Sequence, residues 1–313
     1  MVALVSRLIL IAQLAIAAAI AYGLTRLNGM APAPAILCAA IVLLAVRMSI
    51  TANNFRLAWR FRSETPGHCR LTAFQACRLY LNEFRSTMLS SSWTLPFHAF
   101  AGHTALQSRG LPVLLIHGYG CNSGYWHSMS RKLRDAGITH HAVSLEPIFG
   151  DIDSFVPSVH EAVERLRQES GSQKVILLAH SMGGLVARAY LNVHGDDRIA
   201  RVITLGTPHH GTGLADFGMG DNSEQMRWIA SDRGGTPSAW LQELAAREDH
   251  RRYALFVSIY SHHDNIIAPQ TSSELPGARN IDLHGIGHVA LGLNPRVQKI
   301  VIDEIFAAGQ PDE

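Results

Sequence analysis

The strongest constraint on the fold of this chain is the stretch Val175–Gly184, which reads VILLAHSMGG. It begins with a continuous apolar run, and such a run is typical of a strand that is buried on both faces of a parallel sheet. Ser181 follows with small residues two positions away on either side, and the segment up to Gly195 then has the composition of a helix. This pattern predicts a strand, a tight turn with a serine at its tip, and a helix.

Ser181 is the candidate nucleophile. A tight turn from strand to helix holds its serine in a strained conformation with the hydroxyl clear of the sheet, so only small side chains fit beside it. Ala179 and Gly183 occupy the two flanking positions, and His180 directly precedes the serine. The N-terminus of the following helix also favours negative charge. The alternative is a serine that only caps a helix after a core strand.

The pentapeptide Ala179–Gly183 resembles the nucleophile elbow of α/β-hydrolase lipases and esterases. It is most similar to that of small bacterial triacylglycerol lipases, which also have Ala instead of Gly two residues before the serine. The resemblance covers residues 111–308, and four separate motifs fall in the family's order. It implies an α/β-hydrolase fold, in which a mostly parallel sheet is flanked by helices.

A second motif follows the strand that is predicted over residues 112–116. His117, Gly118 and Tyr119 resemble the His-Gly loop of lipases and esterases, which lies beside the nucleophile. Attack on an ester creates an oxyanion, which preorganised backbone N–H groups stabilise, and glycine lets the backbone approach the substrate. The family's pattern implies that the donors are the amides of Tyr119 and Met182. We interpret His117 as a structural hydrogen-bonding residue instead of a base.

The other candidate catalytic residues lie nearer the C-terminus. Asp264 follows a predicted strand, and His288 lies in a Gly-x-Gly-His loop that resembles the C-terminal segment of the small bacterial lipases. The chain order Ser181, Asp264, His288 is that of the α/β-hydrolases. His288 would take the serine proton and return it to the leaving alcohol, while Asp264 fixes its tautomer. Asp282 and His284 are the rival candidates.

Residues 1–50 are far more apolar than the remainder of the chain. Leu8–Leu24 and Pro34–Val46 are two apolar runs near the lower length limit for crossing a bilayer. We predict a hairpin anchor of two transmembrane helices. The arginines that follow it place the catalytic domain on the cytoplasmic side of the inner membrane by the positive-inside rule. A signal peptide over residues 1–21 and a helix pair buried in a soluble protein are the alternatives.

Residues 51–110 are predicted to be a helical lead-in to the catalytic domain. Leu71–Met88 has apolar residues, among them Phe74 and Leu81, at the spacing of one helix face. This face either lies at the membrane interface or packs against the catalytic domain.

The catalytic domain is predicted over residues 111–313. Residues 213–252 interrupt its alternation of strands and helices with a segment that contains several glycines, two tryptophans and two methionines. Such an excursion between two sheet strands predicts a cap. It either moves as a lid over the substrate or stays as a static cover.

No cofactor, metal ion or nucleic acid is expected. The formal net charge is only +2, which gives no nucleic-acid footprint. The four cysteines form neither a disulfide framework nor a metal-binding pattern. His209 and His210 are adjacent in sequence and lack a neighbouring cysteine or carboxylate cluster, which is poor geometry for a metal site.

The sequence thus predicts a membrane-anchored serine hydrolase that cleaves a small-molecule or lipid ester through an acyl-enzyme. The anchor favours lipid acyl esters, because an enzyme held at a bilayer meets amphiphilic substrates at high local concentration. An acyltransferase or thioesterase with the same three catalytic residues is the first alternative. A non-catalytic membrane accessory protein is the second. The sequence predicts no oligomeric state.

Overall fold

The computed structural model describes residues 1–105, 108–231 and 234–309. The predicted lead-in, cap and catalytic domain each include a few residues outside these ranges. The helices are α1 (Val2–Asn28), α2 (Pro32–Phe61), α3 (Ala73–Leu89), α4 (Leu95–Phe97), α5 (His127–Asp135), α6 (Val156–Ser170), α7 (Met182–His194), α8 (Asp221–Gln225), α9 (Ala239–Arg247) and α10 (Pro295–Ala308). The strands are β1 (Gly102–His103), β2 (Val113–Ile116), β3 (His140–Val143), β4 (Val175–His180), β5 (Ile199–Leu205), β6 (Trp228–Ile229), β7 (Thr236–Pro237), β8 (Phe256–Ser261) and β9 (Arg279–Leu283).

A seven-stranded sheet in the order β1-β3-β2-β4-β5-β8-β9 forms the centre of the fold, and its first strand comes from the predicted lead-in. Only the β1–β3 pairing in it is antiparallel; the other pairings are parallel. β4 and β8 are buried at every residue, as expected for strands covered on both faces. One apolar cluster packs α6 and α7 on the sheet, and a second packs α5 and α10. The predicted parallel sheet flanked by helices is confirmed.

Most elements that the sequence predicts after residue 111 occur near their expected positions. Two differ: a strand predicted over residues 253–260, and a helix that Asp153 is predicted to cap. The strand predicted over residues 253–260 starts only at Phe256, because the preceding residues form a 3₁₀ helix. Asp153 does not cap α6, whose N-cap is Phe155. The Asp153 carboxylate instead accepts a hydrogen bond from Trp240 Nε1 at 2.8 Å. The Asp153 side chain therefore makes a tertiary contact instead of capping α6.

The apolar face that the sequence predicts for α3 does not pack on the rest of the protein, and its location at the membrane interface stays a prediction. Phe74 and Leu81 are 79% and 49% exposed, whereas Leu79 and Glu83 are buried. The helix therefore packs on the catalytic region with a different face from the one expected. The reason is that a carboxylate takes a buried position on this face, where backbone N–H groups from a distant part of the chain bind it.

The two N-terminal helices are longer than the apolar runs that predicted them. α1 has 27 residues and α2 has 30, and both are long and apolar enough to cross a membrane. In the most apolar 18-residue stretch of each helix, 0% and 17% of the residues are buried, whereas a core helix of a soluble protein is mostly buried. α2 continues to Phe61, so the predicted anchor boundary at residue 50 falls inside this helix.

The N-terminal hairpin packs on the lead-in. The Arg7 Nε atom donates a hydrogen bond to the Pro96 carbonyl at 2.8 Å. The Tyr80 hydroxyl on α3 donates to the Met48 carbonyl on α2 at 2.8 Å, and the Tyr80 ring lies 6.3 Å from that of Phe55. α3 thus lies between the hairpin and the catalytic region.

A buried ion pair holds α7, the helix that follows Ser181. The Arg188 side chain is 1% exposed, and it donates two hydrogen bonds to Glu248, at 2.9 Å and 2.6 Å. A third donation reaches the His209 carbonyl at 2.8 Å. Burial opposes the charge, but the bonds and the charge of Glu248 raise the pKa of Arg188 above its ordinary value.

We expect Arg188→Ala to lower the free energy of unfolding by about 3–5 kcal/mol, because it leaves the Glu248 carboxylate buried without its partner. Guanidinium unfolding of the detergent-solubilised chain, followed by tryptophan fluorescence, measures this loss. Arg251→Ala is the control, since Arg251 is 91% exposed and pairs with Asp249 at the surface. Its effect should stay within about 0.5 kcal/mol. Equal effects of the two substitutions would contradict the importance of the buried pair.

Candidate active site

Ser181 lies in the turn between β4 and α7 with φ 55° and ψ −129°. It is the one non-glycine residue with positive φ in the part of the chain that the structure describes. Such a conformation costs about 1–3 kcal/mol and persists only where the surroundings hold it. Here the Ser181 N–H donates to the Leu205 carbonyl, and the Thr207 hydroxyl donates to the Ser181 carbonyl, both at 2.9 Å. The predicted strand, turn and helix are confirmed.

The glycines after Ser181 are required by close approach of other chain segments. A Cβ atom on Gly183 would lie 2.6 Å from the carbonyl oxygens of Ile116 and His117. A Cβ atom on Gly184 would collide with the Thr207 side chain. The start of α7 therefore packs against the ends of β2 and β5 without any intervening side chain.

His288 and Asp264 form a buried pair beside this turn. The His288 Nδ1 atom lies 2.8 Å from Asp264 Oδ2. The other carboxylate oxygen of Asp264 accepts hydrogen bonds from the N–H groups of Ile266 and Ile267, each at 2.8 Å. Both oxygens of the Asp264 carboxylate thus take part in hydrogen bonds. Because Nδ1 of His288 contacts Asp264, Nε2 is the ring nitrogen left for another partner.

The two rival candidates take different positions. The Asp282 carboxylate lies 3.2 Å from the Nε2 atom of His262. His284 is exposed at the surface. Of the two candidate acids, the structure therefore brings Asp264 into contact with His288.

Ser181, Asp264 and His288 come from loops at one edge of the sheet. They follow the carboxyl ends of β4, β8 and β9, and in α/β sheets ligands bind at this edge. Gly206, directly after β5, lies between them: a Cβ atom on it would be 3.1 Å from Asp264 Oδ2 and 3.3 Å from His288 Nδ1. A Cβ atom on Gly118 would be 2.8 Å from the Ser181 Cβ atom. The predicted loops therefore meet at this edge.

The surroundings of His288 favour its charged form. Burial disfavours the imidazolium, but the charge and hydrogen bond of Asp264 and the charge of Glu83 raise the pKa of His288 above its ordinary value. His180, whose ring centroid is 4.6 Å from that of His288, has the opposite shift. Burial and the neighbouring His288 lower the pKa of His180 well below its usual range, so it stays neutral. Its ring stacks on Tyr125 at 4.2 Å.

His117 holds the loop that follows β2. Its Nδ1 atom donates to the Gly118 carbonyl at 2.9 Å, and its Nε2 atom accepts from the Leu145 N–H at 3.0 Å. Burial lowers the pKa of His117 to about 4. Both ring nitrogens thus serve the backbone, which agrees with the structural role that we predicted.

The predicted oxyanion donors flank Ser181. Met182 is the first residue of α7, and the N–H groups of a first turn have no acceptor within their own helix. Tyr119 follows Gly118, which contacts Ser181. The Tyr119 hydroxyl donates to the carbonyl of Met219 at 2.8 Å and accepts from its N–H at 3.0 Å. This side chain therefore links the loop to the predicted cap.

A cavity of about 770 Å³ lies between α2, α3 and the loop that carries Asp264. Its lining is mostly apolar. It includes Phe55, Trp59, Leu71 and Leu79. Arg62, Glu64 and Arg70 also line it, and Asp264 is the candidate catalytic residue that borders it.

The adjacent histidines of the loop after β5 are separately engaged. His209 Nε2 lies 3.3 Å from the Thr204 hydroxyl, and His210 Nε2 donates to the Glu274 carbonyl at 3.0 Å. The structure instead gathers His68, Cys69 and Asp282, whose ligand atoms lie within 4.8 Å of one another. The sequence does not indicate this group, because Asp282 is far from His68 and Cys69 along the chain.

The sequence also gives little indication that Glu83 contacts the candidate site. Its carboxylate accepts hydrogen bonds from the N–H groups of Val289 and Ala290, the two residues after His288. The only signal in the sequence is an acidic residue four positions after Leu79, on a helix whose other apolar residues suggest a different face.

Comparison with known proteins shows the fold of this chain and the proteins that it resembles. A family model described as the alpha/beta hydrolase fold matches residues 112–238. A mature lipase of Bacillus licheniformis (BlEst2) superposes with a TM-score of 0.57 over 66% of this chain and 97% of that chain, at 19% identity. The chain has the α/β-hydrolase fold. The resemblance and the fold class predicted from the sequence are confirmed.

The curated proteins to which this chain is similar include triacylglycerol lipases. That of Pseudarthrobacter phenanthrenivorans is 30% identical over 114 residues, which are 34% of this chain and 35% of the relative. That of Pseudomonas fragi is 31% identical over 110 residues, which are 34% of this chain and 37% of the relative. The chain thus matches only about a third of the length of these relatives.

We expect Asp264→Asn to lower the pKa of His288 below its ordinary value of 6.5, because burial then acts with less opposition. NMR titration of the labelled imidazoles measures this. In the unchanged α/β hydrolase the raised pKa also stabilises the fold. That contribution is fully present below the unfolded-state pKa and is lost as the pH rises through the folded-state pKa. Asp282→Asn is the control and should leave His288 unchanged; an equal shift in both variants would contradict the assignment.

Proposed function

We propose that this α/β hydrolase cleaves carboxylic esters through an acyl-enzyme, with Ser181 as nucleophile, His288 as general base and acid, and Asp264 as the group that orients His288. The supporting observation is the 2.8 Å contact between His288 Nδ1 and Asp264 Oδ2 next to a serine at positive φ. The similarity to triacylglycerol lipases also supports an ester substrate.

In the proposed reaction, Ser181 Oγ attacks the ester carbonyl carbon while its proton moves to His288 Nε2. The carbonyl oxygen becomes an oxyanion and accepts hydrogen bonds from the N–H groups of Tyr119 and Met182. When the tetrahedral intermediate collapses, the C–O bond to the alcohol breaks and His288 protonates the leaving oxygen. Water then attacks the acyl-serine by the same route and releases the acid. His288 returns to its neutral form in each half.

The proposed substrate is an amphiphilic acyl ester, and the proposed domain organisation explains this preference. α1 and α2 form a membrane anchor, a lead-in follows up to residue 110, and residues 111–313 form the catalytic domain with a cap over residues 213–252. Phe217 and Met219 of the cap are 59% and 65% exposed. The Met219 backbone is hydrogen-bonded to the Tyr119 hydroxyl and therefore lies close to the proposed oxyanion site. Exposed apolar groups at this position can contact an acyl chain.

A fluorophosphonate probe tests the nucleophile. We expect membranes that contain the full-length chain to be labelled and Ser181→Ala to abolish the label, because the probe bonds covalently to an activated serine oxygen. Ser130→Ala is a matched control: Ser130 is also buried and its hydroxyl lies 2.7 Å from His140 Nε2. It should keep the label. An unlabelled, folded wild-type protein would overturn the proposal and favour the non-catalytic accessory protein.

Products distinguish hydrolysis from transfer. With acyl esters of increasing chain length, we expect release of the free acid, and this release should be abolished by Ser181→Ala. Addition of alcohol or thiol acceptors should leave the acid as the main product, as measured by mass spectrometry. A transfer product that dominates over the acid would favour the acyltransferase, and a strong preference for thioesters would favour the thioesterase.

The anchor is tested by fractionation and intact mass. We expect the full-length chain to stay in the membrane pellet after an alkaline carbonate wash, because two apolar helices of this length can span a bilayer. The mass of the purified protein should include residues 1–21. A mature protein that starts after residue 21 would identify this segment as a signal peptide. Protease protection in sealed vesicles tests the predicted cytoplasmic side.

A further inference from the structure

α3 brings an acidic side chain into contact with the loop that carries His288. Glu83 is 1% exposed, and its Oε1 and Oε2 atoms accept hydrogen bonds from the N–H groups of Val289 at 2.9 Å and Ala290 at 3.0 Å. A Cβ atom on Gly287, directly before His288, would collide with this carboxylate. α3 lies outside the region that matches the α/β-hydrolase family model.

The two bonds of Glu83 complete the support of this loop. The His288 N–H donates to Asn265 Oδ1 at 2.9 Å, and the Gly292 N–H donates to the Tyr125 hydroxyl oxygen at 3.1 Å. Glu83 supplies the acceptors for the two N–H groups that follow His288. Hydrogen bonds to an ionised acceptor are stronger than bonds between neutral groups, and a buried N–H without a partner is costly. Removal of Glu83 therefore frees the backbone next to the proposed base.

We propose that Glu83 is a positioning residue for His288: its buried carboxylate binds the two N–H groups that follow His288, packs against Gly287 and thereby fixes the backbone of the His288 loop. This inference rests on the proposed function, since it assigns a role to Glu83 in the same site.

Two other titratable groups face His288 or its loop. His180 faces it from the end of β4, and its pKa is lowered well below the usual range by burial. Tyr125 faces the same loop, and burial raises its pKa well above the ordinary value. Both are thus neutral near pH 7. Burial, with a smaller contribution from Asp264, raises the pKa of Glu83 above its ordinary value, although its two backbone donors and His288 oppose this shift. Among the described residues, the carboxylates that raise the pKa of His288 are those of Asp264 and Glu83.

Glu83→Gln in the full-length chain tests this role. The amide nearly keeps the volume, but it removes the charge and places an NH₂ group against one of the two backbone donors. We expect the rate of fluorophosphonate labelling and kcat to fall roughly 10- to 100-fold, with KM changed less than about threefold, because the base is misplaced by a fraction of an ångström. The acid limb of the pH profile should move to lower pH, since His288 loses a charge that favours its protonation.

Glu304→Gln is the matched control. Glu304 is also buried, but it pairs with Arg201 and Arg279 near the amino ends of β5 and β9, at the opposite edge of the sheet from the candidate site. It should reduce stability and leave the acid limb in place. Glu83→Asp, which keeps the charge on a shorter side chain, should lower the rate and retain most of the wild-type pH profile. It also serves as the test if Glu83→Gln does not fold.

The outcomes separate this inference from the proposed function. A folded Glu83→Gln protein with the wild-type rate, or with a lower rate and an unmoved acid limb, would overturn the positioning role while the ester hydrolase stands. If Glu83→Asp is the variant that folds, an acid limb displaced to lower pH despite the retained carboxylate would also overturn it. If the wild type is not labelled at all, the proposed function fails instead. NMR titration then still tests Glu83, because its removal must lower the pKa of His288.

Discussion

The site depends on the backbone turn at Ser181. The turn is strained, and it exists because neighbouring segments hold it: carbonyl and hydroxyl groups of the β5 end bind its backbone, and two glycines let α7 pack directly against the strand ends. β4 and β5 must therefore be adjacent and in register before the serine can take this conformation. The large buried sheet supplies the free energy that offsets a local cost of about 1–3 kcal/mol.

Features with a local signal could be predicted from the sequence. Residues 175–179 predict the strand because each of them is apolar, and the small residues on both sides of Ser181 predict the turn because no larger residue fits. Features that depend on distant partners could not. Glu83 is buried because residues more than 200 positions later donate to it, and the hydrogen-bond pattern of a single helix cannot show this. The same holds for Cys69 and Asp282.

Three buried histidines near Ser181 differ in their charged neighbours. His117 and His180 are buried without a carboxylate partner, so desolvation keeps them neutral and they act as hydrogen-bonding groups for the backbone. His288 is equally buried, yet its shift is in the opposite direction because Asp264 touches it and Glu83 lies close by. The chain thus distinguishes its candidate base from structural histidines by the position of two carboxylates.

α3 joins the two ends of this arrangement. Tyr80 and Glu83 are three residues apart, so they lie about one turn apart on the same side of the helix. Tyr80 contacts α2 of the hairpin, and Glu83 binds the His288 loop. Side chains one helix turn apart on α3 therefore contact both the hairpin and the backbone beside His288. In this geometry α3 is a structural part of the candidate site and not only a connection between the N-terminal hairpin and the sheet.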